Sequence, residues 1–212
     1  GVGAAKLMAD NEAVTPEAVA NGEASPVINT ATVEADNQAV SSALINGDVD
    51  IAAVATNVAA SLSAKSEGAV QVLAVNTLGV LYILEKGNSV QSMADLEGRT
   101  VYATGQGANP EFVLNYLLTE NGVDPANVDI QWMTAQEVTA KMASSEDGVC
   151  LLPVPAAAAL MLQDAGVRQA LSLSEEWDAL GAGPLPMGCL VARADYIAEH
   201  PQEVEDFLAA YG

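Results

Sequence analysis

Positive charge is what this 212-residue chain has least of: 7 Lys plus Arg stand against 28 Asp plus Glu, a formal net charge of −21. Nucleic acid and anionic membrane both require a cationic footprint, so this balance excludes them as partners. The acidic residues are scattered and read as a solvated surface coat, not as a tail. Histidine occurs once, as His200 in AEHPQE, and no GxSxG accompanies it, which leaves no serine–histidine triad to assemble. The two cysteines, Cys150 in GVCLLPVP and Cys189 in MGCLVA, sit in apolar strand-like runs that suit buried thiols. No CxxC or Cys/His spacing suggests a metal site. No apolar run reaches the ~18–20 residues that span a bilayer. The longest candidate, AVQVLAVNTLGVLYILEKG, contains Gln71, Asn76, Thr77 and Gly79 and reads as strands. The chain opens on a Gly-rich stretch, GVGAAKLMADNEA, without an initiator Met, and a processed or trimmed start is expected.

What is present is a hydrophobic content of 50%, enough for a sizeable core in one or two domains. GAAKLMADNEA reads as a helix and SPVINTATVEA alternates as a strand. NQAVSSALINGD places Val40, Leu44 and Ile45 at helical spacing and stops at Gly47. VDIAAVAT follows as a buried strand, NVAASLSAKSEG as a helix ending at Gly68, and VQVLAVNT as another strand. This β–α–β–α–β order builds a parallel sheet with helices on its faces. After LYILEKGNSVQSMADLEG the pattern restarts. TVYATG, VDIQWMT and VCLLPVP read as strands. NPEFVLNYLLTENG, AQEVTAKMASSEDG and AAAALMLQDAG are the helices between and after them, the first with Pro110 in its opening turn and Gly122 at its end. A strand in PLPMGCLVAR and a helix in HPQEVEDFLAAYG complete the chain.

Open α/β sheets bind ligands beyond the carboxyl ends of their strands, where helix N-termini point. The expected strand-to-helix junctions are Gly1, Val2 and Gly3; Ala55, Thr56 and Asn57; Asn76 and Thr77; residues 105–109; and Pro153, Val154 and Pro155. All are small and neutral, and none contains Asp, Glu, His, Lys or Arg, a composition suited to binding and not to proton transfer. GQGANP fails as a dinucleotide fingerprint, because Pro110 stands where Gly or Ala is needed and no acidic residue ends VDIQWMT. Lys6 in GVGAAKL lacks the spacing and hydroxyl of a P-loop. Asn109 is expected to cap the helix that Pro110 opens. Trp132 and Trp177 could stack on a ligand or serve core or hinge packing, Met187 could line a cleft with packing as the default, Tyr102 is assigned to packing and Lys141 to a helix surface.

Taken together, GVGAAKLMADNEA, ALINGDVDIAAVATNVAA, VLAVNTLGVLYI, SMADLEGRTVYATGQGANPEFVLNYLLTENGVDP and LLPVPAAAALML strongly resemble ABC-importer substrate-binding proteins. The resemblance is to the nitrate/sulfonate/bicarbonate (NitT/TauT-like) group, and DLEGRTVYATGQGANPE is its most specific part. It implies an α/β, two-lobed type II periplasmic binding-protein-like fold, each lobe a mostly parallel sheet flanked by helices. Lobe one would hold residues 1–85 plus 184–212 and lobe two residues 90–183, with crossovers near 80–92 and 180–190. Relatives carry a strand ahead of the first Gly-rich loop and several helices beyond the position of residue 212.

By the same resemblance, ligand-binding groups come from Gly3, Thr56, Asn57, Asn76 and Thr77 in lobe one. Lobe two offers Gly105, Gln106, Ala108, Asn109, Pro153 and Pro155, and hinge closure encloses the ligand. No catalytic residue, metal or cofactor is implied. The implied partners are a small-molecule ligand and an ABC permease, for a monomer that is periplasmic or a membrane-anchored lipoprotein. Helix N-termini favour a sulfonate-type anion. The lack of any cation in the junctions favours a neutral, zwitterionic or heteroaromatic solute, and the two classes rank level. The alternatives are an enzyme on the same fold, thiamine-pyrimidine synthesis-like or menaquinone-pathway-like, and a stand-alone ligand sensor.

Overall fold

In the computed structural model, which describes residues 31–32 and 37–211, hydrophobic periodicity translates into alternating strands and helices. Gly3, the helix read in GAAKLMADNEA and all but residues 31–32 of the strand read in SPVINTATVEA lie outside the described residues. In chain order come α1 (Asn37–Asn46), β1 (Ile51–Ala55), α2 (Thr56–Lys65), β2 (Val70–Leu78), β3 (Leu81–Lys86) and β4 (Thr100–Ala103). Then follow α3 (Asn109–Glu120), β5 (Asp129–Trp132), α4 (Ala135–Ser144), β6 (Gly148–Pro153), α5 (Val154–Gln163) and β7 (Val167–Ser172). The last are α6 (Leu173–Ala179), β8 (Pro186–Arg193), α7 (Ala194–Glu199) and α8 (Pro201–Tyr211). The chain divides into two compact units. Unit one takes residues up to Thr77 and from Gly188 on, and unit two is Leu78–Met187.

Unit one holds a three-stranded sheet in the order β1-β8-β2, with β8 antiparallel to β1. Among the described strands of unit one, β8 is the one shown to run against a neighbour. The return strand β8 enters after the α/β units are complete and runs against β1. Leu44 of α1, Val54 of β1, Leu62 of α2 and Cys189 and Val191 of β8 share one apolar cluster. Strand β8 passes so close to β2 that a Cβ on Gly188 would stand 2.9 Å from Asn76 Oδ1 and 3.1 Å from the Thr77 side chain. A side chain at Gly188 would require Asn76 and Thr77 to shift.

Unit two holds a five-stranded sheet in the order β5-β4-β6-β3-β7. Strand β4 is parallel to β5 and β6, whereas β3 is antiparallel to β6 and β7. Four of the five strands thus share one direction, and only β3, which enters from unit one, opposes them. Period-2 alternation sends Ile83, Val101 and Leu151 to one face, against Leu114 and Leu117 of α3 and Leu173 of α6. Leu84, Cys150 and Leu152 take the other face, against Val138 and Met142 of α4 and Leu160 of α5. Because β5, β4, β6 and β7 are co-directional, helices α4, α3, α5 and α6 all start at one edge of the sheet.

Glu85, near the end of β3, is only 2% exposed. Its carboxylate accepts hydrogen bonds from the Ser89 N–H at 2.9 Å, the Ser89 hydroxyl, the Val90 N–H at 3.2 Å and the Arg168 guanidinium of β7 at 2.6 Å. Arg168 also donates to the carbonyls of Gly87 and Val90. Burial pushes the Glu85 carboxyl up, but the donors of Ser89, Val90 and Arg168 outweigh it and hold the group below the usual glutamate range. Arg168→Ala leaves a buried carboxylate uncompensated and is expected to cost about 3 kcal/mol in urea unfolding at pH 7. Because the folded pKa is lowered, the margin of wild type over Glu85→Gln is complete above the ordinary value of about 4.3. That margin disappears as pH falls through the folded value. An Arg168→Ala protein as stable as wild type, or a margin unchanged by acid, contradicts this account.

Candidate functional site

In unit one, helix α2 starts directly at the carboxyl end of β1. Ala55 occupies the cap position in extended conformation (φ −66°, ψ 148°), and Thr56 and Asn57 are the first helical residues. The first turn of α2 contains no acidic residue, and Ala55 makes no side-chain cap bond. Thr56 and Asn57 are both half-buried.

Asn76 and Thr77 are not at a strand-to-helix junction. They lie inside β2, and the chain runs on through Gly79 and Val80 into β3 with no helix between. Their polar groups serve the sheet and the C-terminal helix: Thr77 Oγ1 donates to Asn76 Oδ1 at 3.1 Å, and Asn76 Nδ2 donates to the Tyr211 hydroxyl of α8 at 3.1 Å.

In unit two, residues 104–108 connect β4 to α3. Gly105 and Gly107 have φ of +97° and +72°. At Gly105 a side chain is excluded twice, since a Cβ would also stand 2.5 Å from Pro110 Cγ. Ala108, extended at φ −130°, is the cap residue, and Asn109 is the first residue of the helix. The expected capping role of Asn109 is therefore wrong: its side chain is drawn inward, is 7% exposed and donates from Nδ2 to the Met187 carbonyl at 2.7 Å. Gln106 is exposed. Glu111, in the first turn of α3, returns its carboxylate to accept the Gly107 N–H at 2.6 Å.

The β6–α5 junction offers few donors. Pro153 is the cap residue and Pro155 lies in the first turn, so neither has an N–H. The Val154 N–H is taken by the Val80 carbonyl at 2.9 Å. Val154 and Pro155 are exposed and present hydrocarbon. A further junction, between β5 and α4, was not among those read from sequence, although Thr134 and Glu137 have the spacing of a capping box. Glu137 accepts from the Thr134 N–H at 2.8 Å and its hydroxyl at 2.7 Å, and the Glu137 N–H donates to Thr134 Oγ1 at 3.3 Å. The Thr134 backbone and hydroxyl hold the Glu137 carboxyl below its usual range.

Neither thiol is available as a nucleophile. Burial pushes Cys150 up to about 12, and burial also raises Cys189. His200 ends α7, with Nδ1 3.1 Å from Glu203 Oε1 and its backbone carbonyl accepting the Val204 N–H. Trp132 and Trp177 pack against the unit-two core, Tyr102 packs on its other face, and Lys141 is exposed with its ammonium 6.0 Å from the Tyr102 ring centre. Among the described residues, no group of three or more His, Cys, Asp or Glu side chains is arranged to hold a metal ion. Two cavities in unit two, of about 390 and 360 Å3, are lined by residues outside the expected ligand loops.

A family model described as NMT1/THI5 like matches residues 33–212. Comparison with curated proteins finds no significant match. Among solved structures, the chain is similar to the periplasmic aliphatic sulphonate binding protein SsuA from Escherichia coli, with TM-score 0.73 and 17% identity. That match covers 99% of this chain and 68% of the other. A periplasmic sulfonate-binding protein SsuA from Methylobacillus flagellatus KT gives TM-score 0.72 at 20% identity, over 100% of this chain and 61% of that one. The alkanesulfonate-binding protein SsuA from Xanthomonas axonopodis pv. citri, bound to MOPS, gives 0.61 at 17% identity, over 98% and 68%. The chain therefore spans about two thirds of the length of these structures, and at such identities the likeness establishes the fold. With the family model covering residues 33–212 and a two-unit α/β fold shared with periplasmic binding proteins, the chain belongs to the NMT1/THI5-like family.

Proposed function

We propose that this chain is the solute-binding component of an ABC importer, acting outside the cytoplasm and delivering a small polar molecule to a membrane permease. The observation that carries this reading is the character of the helix starts at strand carboxyl ends. Thr56 and Asn57 in unit one, and residues 105–108 in unit two, offer amides, a hydroxyl and backbone donors without a histidine or an accessible thiol. Capture, not catalysis, is the chemistry these groups suit. The names of the similar structures, periplasmic and sulfonate-binding, support the location and the importer role.

For the ligand, the geometry favours a neutral or zwitterionic solute over a simple anion. In unit two the start of α3 already holds the Glu111 carboxylate, α4 is closed by Glu137, and α5 begins with prolines. An acidic oxygen on the ligand would be better served by α2 of unit one, whose first turn carries no carboxylate. Thr56, Asn57, Gly105, Gln106 and Ala108 are the proposed contacts, with Pro153 and Pro155 supplying apolar surface. Gly3, Asn76, Thr77 and Asn109 complete the set proposed from the resemblance.

Thermal unfolding of the full-length protein against taurine, methanesulfonate, nitrate, bicarbonate and an aminopyrimidine tests the reading. At a hundredfold excess over Kd, a true ligand adds about 2.7 kcal/mol and raises Tm by roughly 5–10 °C. The zwitterion or the pyrimidine is expected to give this shift and nitrate none; a panel that shifts nothing contradicts the proposal. Replacing Glu111 by Gln should tighten methanesulfonate binding about two- to fivefold at low salt, measured by calorimetry, because it removes the charge already at that helix start. Unchanged or weaker binding would remove Glu111 from the account.

A further inference from the structure

We propose that Asn109 is a positioning residue: it fastens the loop of residues 105–108 to strand β8 at the point where that strand leaves unit two. The bond from Asn109 Nδ2 to the Met187 carbonyl is 2.7 Å long and joins residues 78 apart in sequence. Both ends are shielded, Asn109 at 7% and Met187 at 9% exposure. The cap position is already taken by Ala108, and one Asn109 amide N–H is committed to the Met187 carbonyl.

The loop has local bonds of its own. The Ala108 N–H donates to the Gly105 carbonyl at 3.2 Å, and the Gly107 N–H to Glu111 at 2.6 Å. With the Glu111 and Phe112 N–H groups on the Ala108 carbonyl, these keep the shape of the turn, and among the described residues they lie within residues 105–112. The Asn109 bond ties the turn to β8. Its anchor is constrained in turn: two residues before Met187, the Leu185 carbonyl accepts the Gly79 N–H at 2.9 Å. One residue after Met187, Gly188 begins the stretch packed on Asn76 and Thr77. A change in the path of β8 at Met187 is therefore felt at residues 105–108, and a change in the loop is felt at Met187. This rests on the solute-binding reading only in treating that loop as ligand-facing. The coupling itself exists without ligand and can be measured without it.

The test is backbone hydrogen exchange on the unliganded full-length protein, comparing wild type with Asn109→Ala and Asn109→Asp. Aspartate keeps the shape, lacks the N–H and is favoured at a helix N-terminus. A residue needed only to start the helix would therefore tolerate it. Leaving the Met187 carbonyl without its donor is expected to accelerate exchange about tenfold at residues 104–108 and 187–189 in both variants, with residues 113–118 unchanged. Wild-type exchange in Asn109→Asp overturns the proposal, as does equal acceleration of the loop and residues 113–118, which would mean general loosening.

Discussion

A carboxylate taken out of water costs several kcal/mol unless its charge and its lone pairs are met. Glu85, at the end of β3, meets that condition with Ser89, Val90 and Arg168. The consequences reach through unit two. Arg168 belongs to β7, so the ion pair fixes the order β3-β7 at that end of the sheet, and its bonds to Gly87 and Val90 fold the segment after β3 back over the pair. With β3 pinned against its neighbours, β4, β5, β6 and β7 run the other way, and their helices all start at one edge. That edge carries the loops assigned to the ligand.

Helix starts at such an edge are usually regarded as anion sites, since free N–H groups and the helix dipole converge there. Unit two departs from this. Each of three starts is answered from within: Glu111 on Gly107, the Thr134–Glu137 box, and prolines where N–H groups would be. Unit one differs, because nothing acidic lies in the first turn of α2. Polarity is thus distributed unevenly between the two units.

Much of the fold was legible because its signal is local. Leu44, Ala52 and Val54 fall at the expected periods, as do Val101, Ala103 and the run around Cys150, and the residues so read are buried. Strand β7 was not read, because Arg168 and Gln169 interrupt its alternation, and only the contact with β3 makes Arg168 at home in a strand. Asn76 and Thr77 look like loop residues since amide and hydroxyl side chains favour turns. They are held in a strand by Tyr211, 135 residues away from Asn76. Asn109 before Pro110 has the local form of a cap, but a carbonyl 78 residues distant competes for its amide and leaves Ala108 in the cap position. Where pairing was long-range, local chemistry pointed to the wrong partner. Glu111 and Glu137 are the opposite case: both sit within four residues of their partners, and their spacing was available to be read.

The central claim is that a small solute is captured at helix-start groups, without chemistry. A crystal structure of the full-length protein with the tightest-binding member of the solute panel tests it most directly. The account predicts the unaltered solute against the helix start at Thr56 and Asn57 or against residues 105–108, with the Asn109 amide still on the Met187 carbonyl. A solute bound away from those loops, or found as a reaction product, would contradict it.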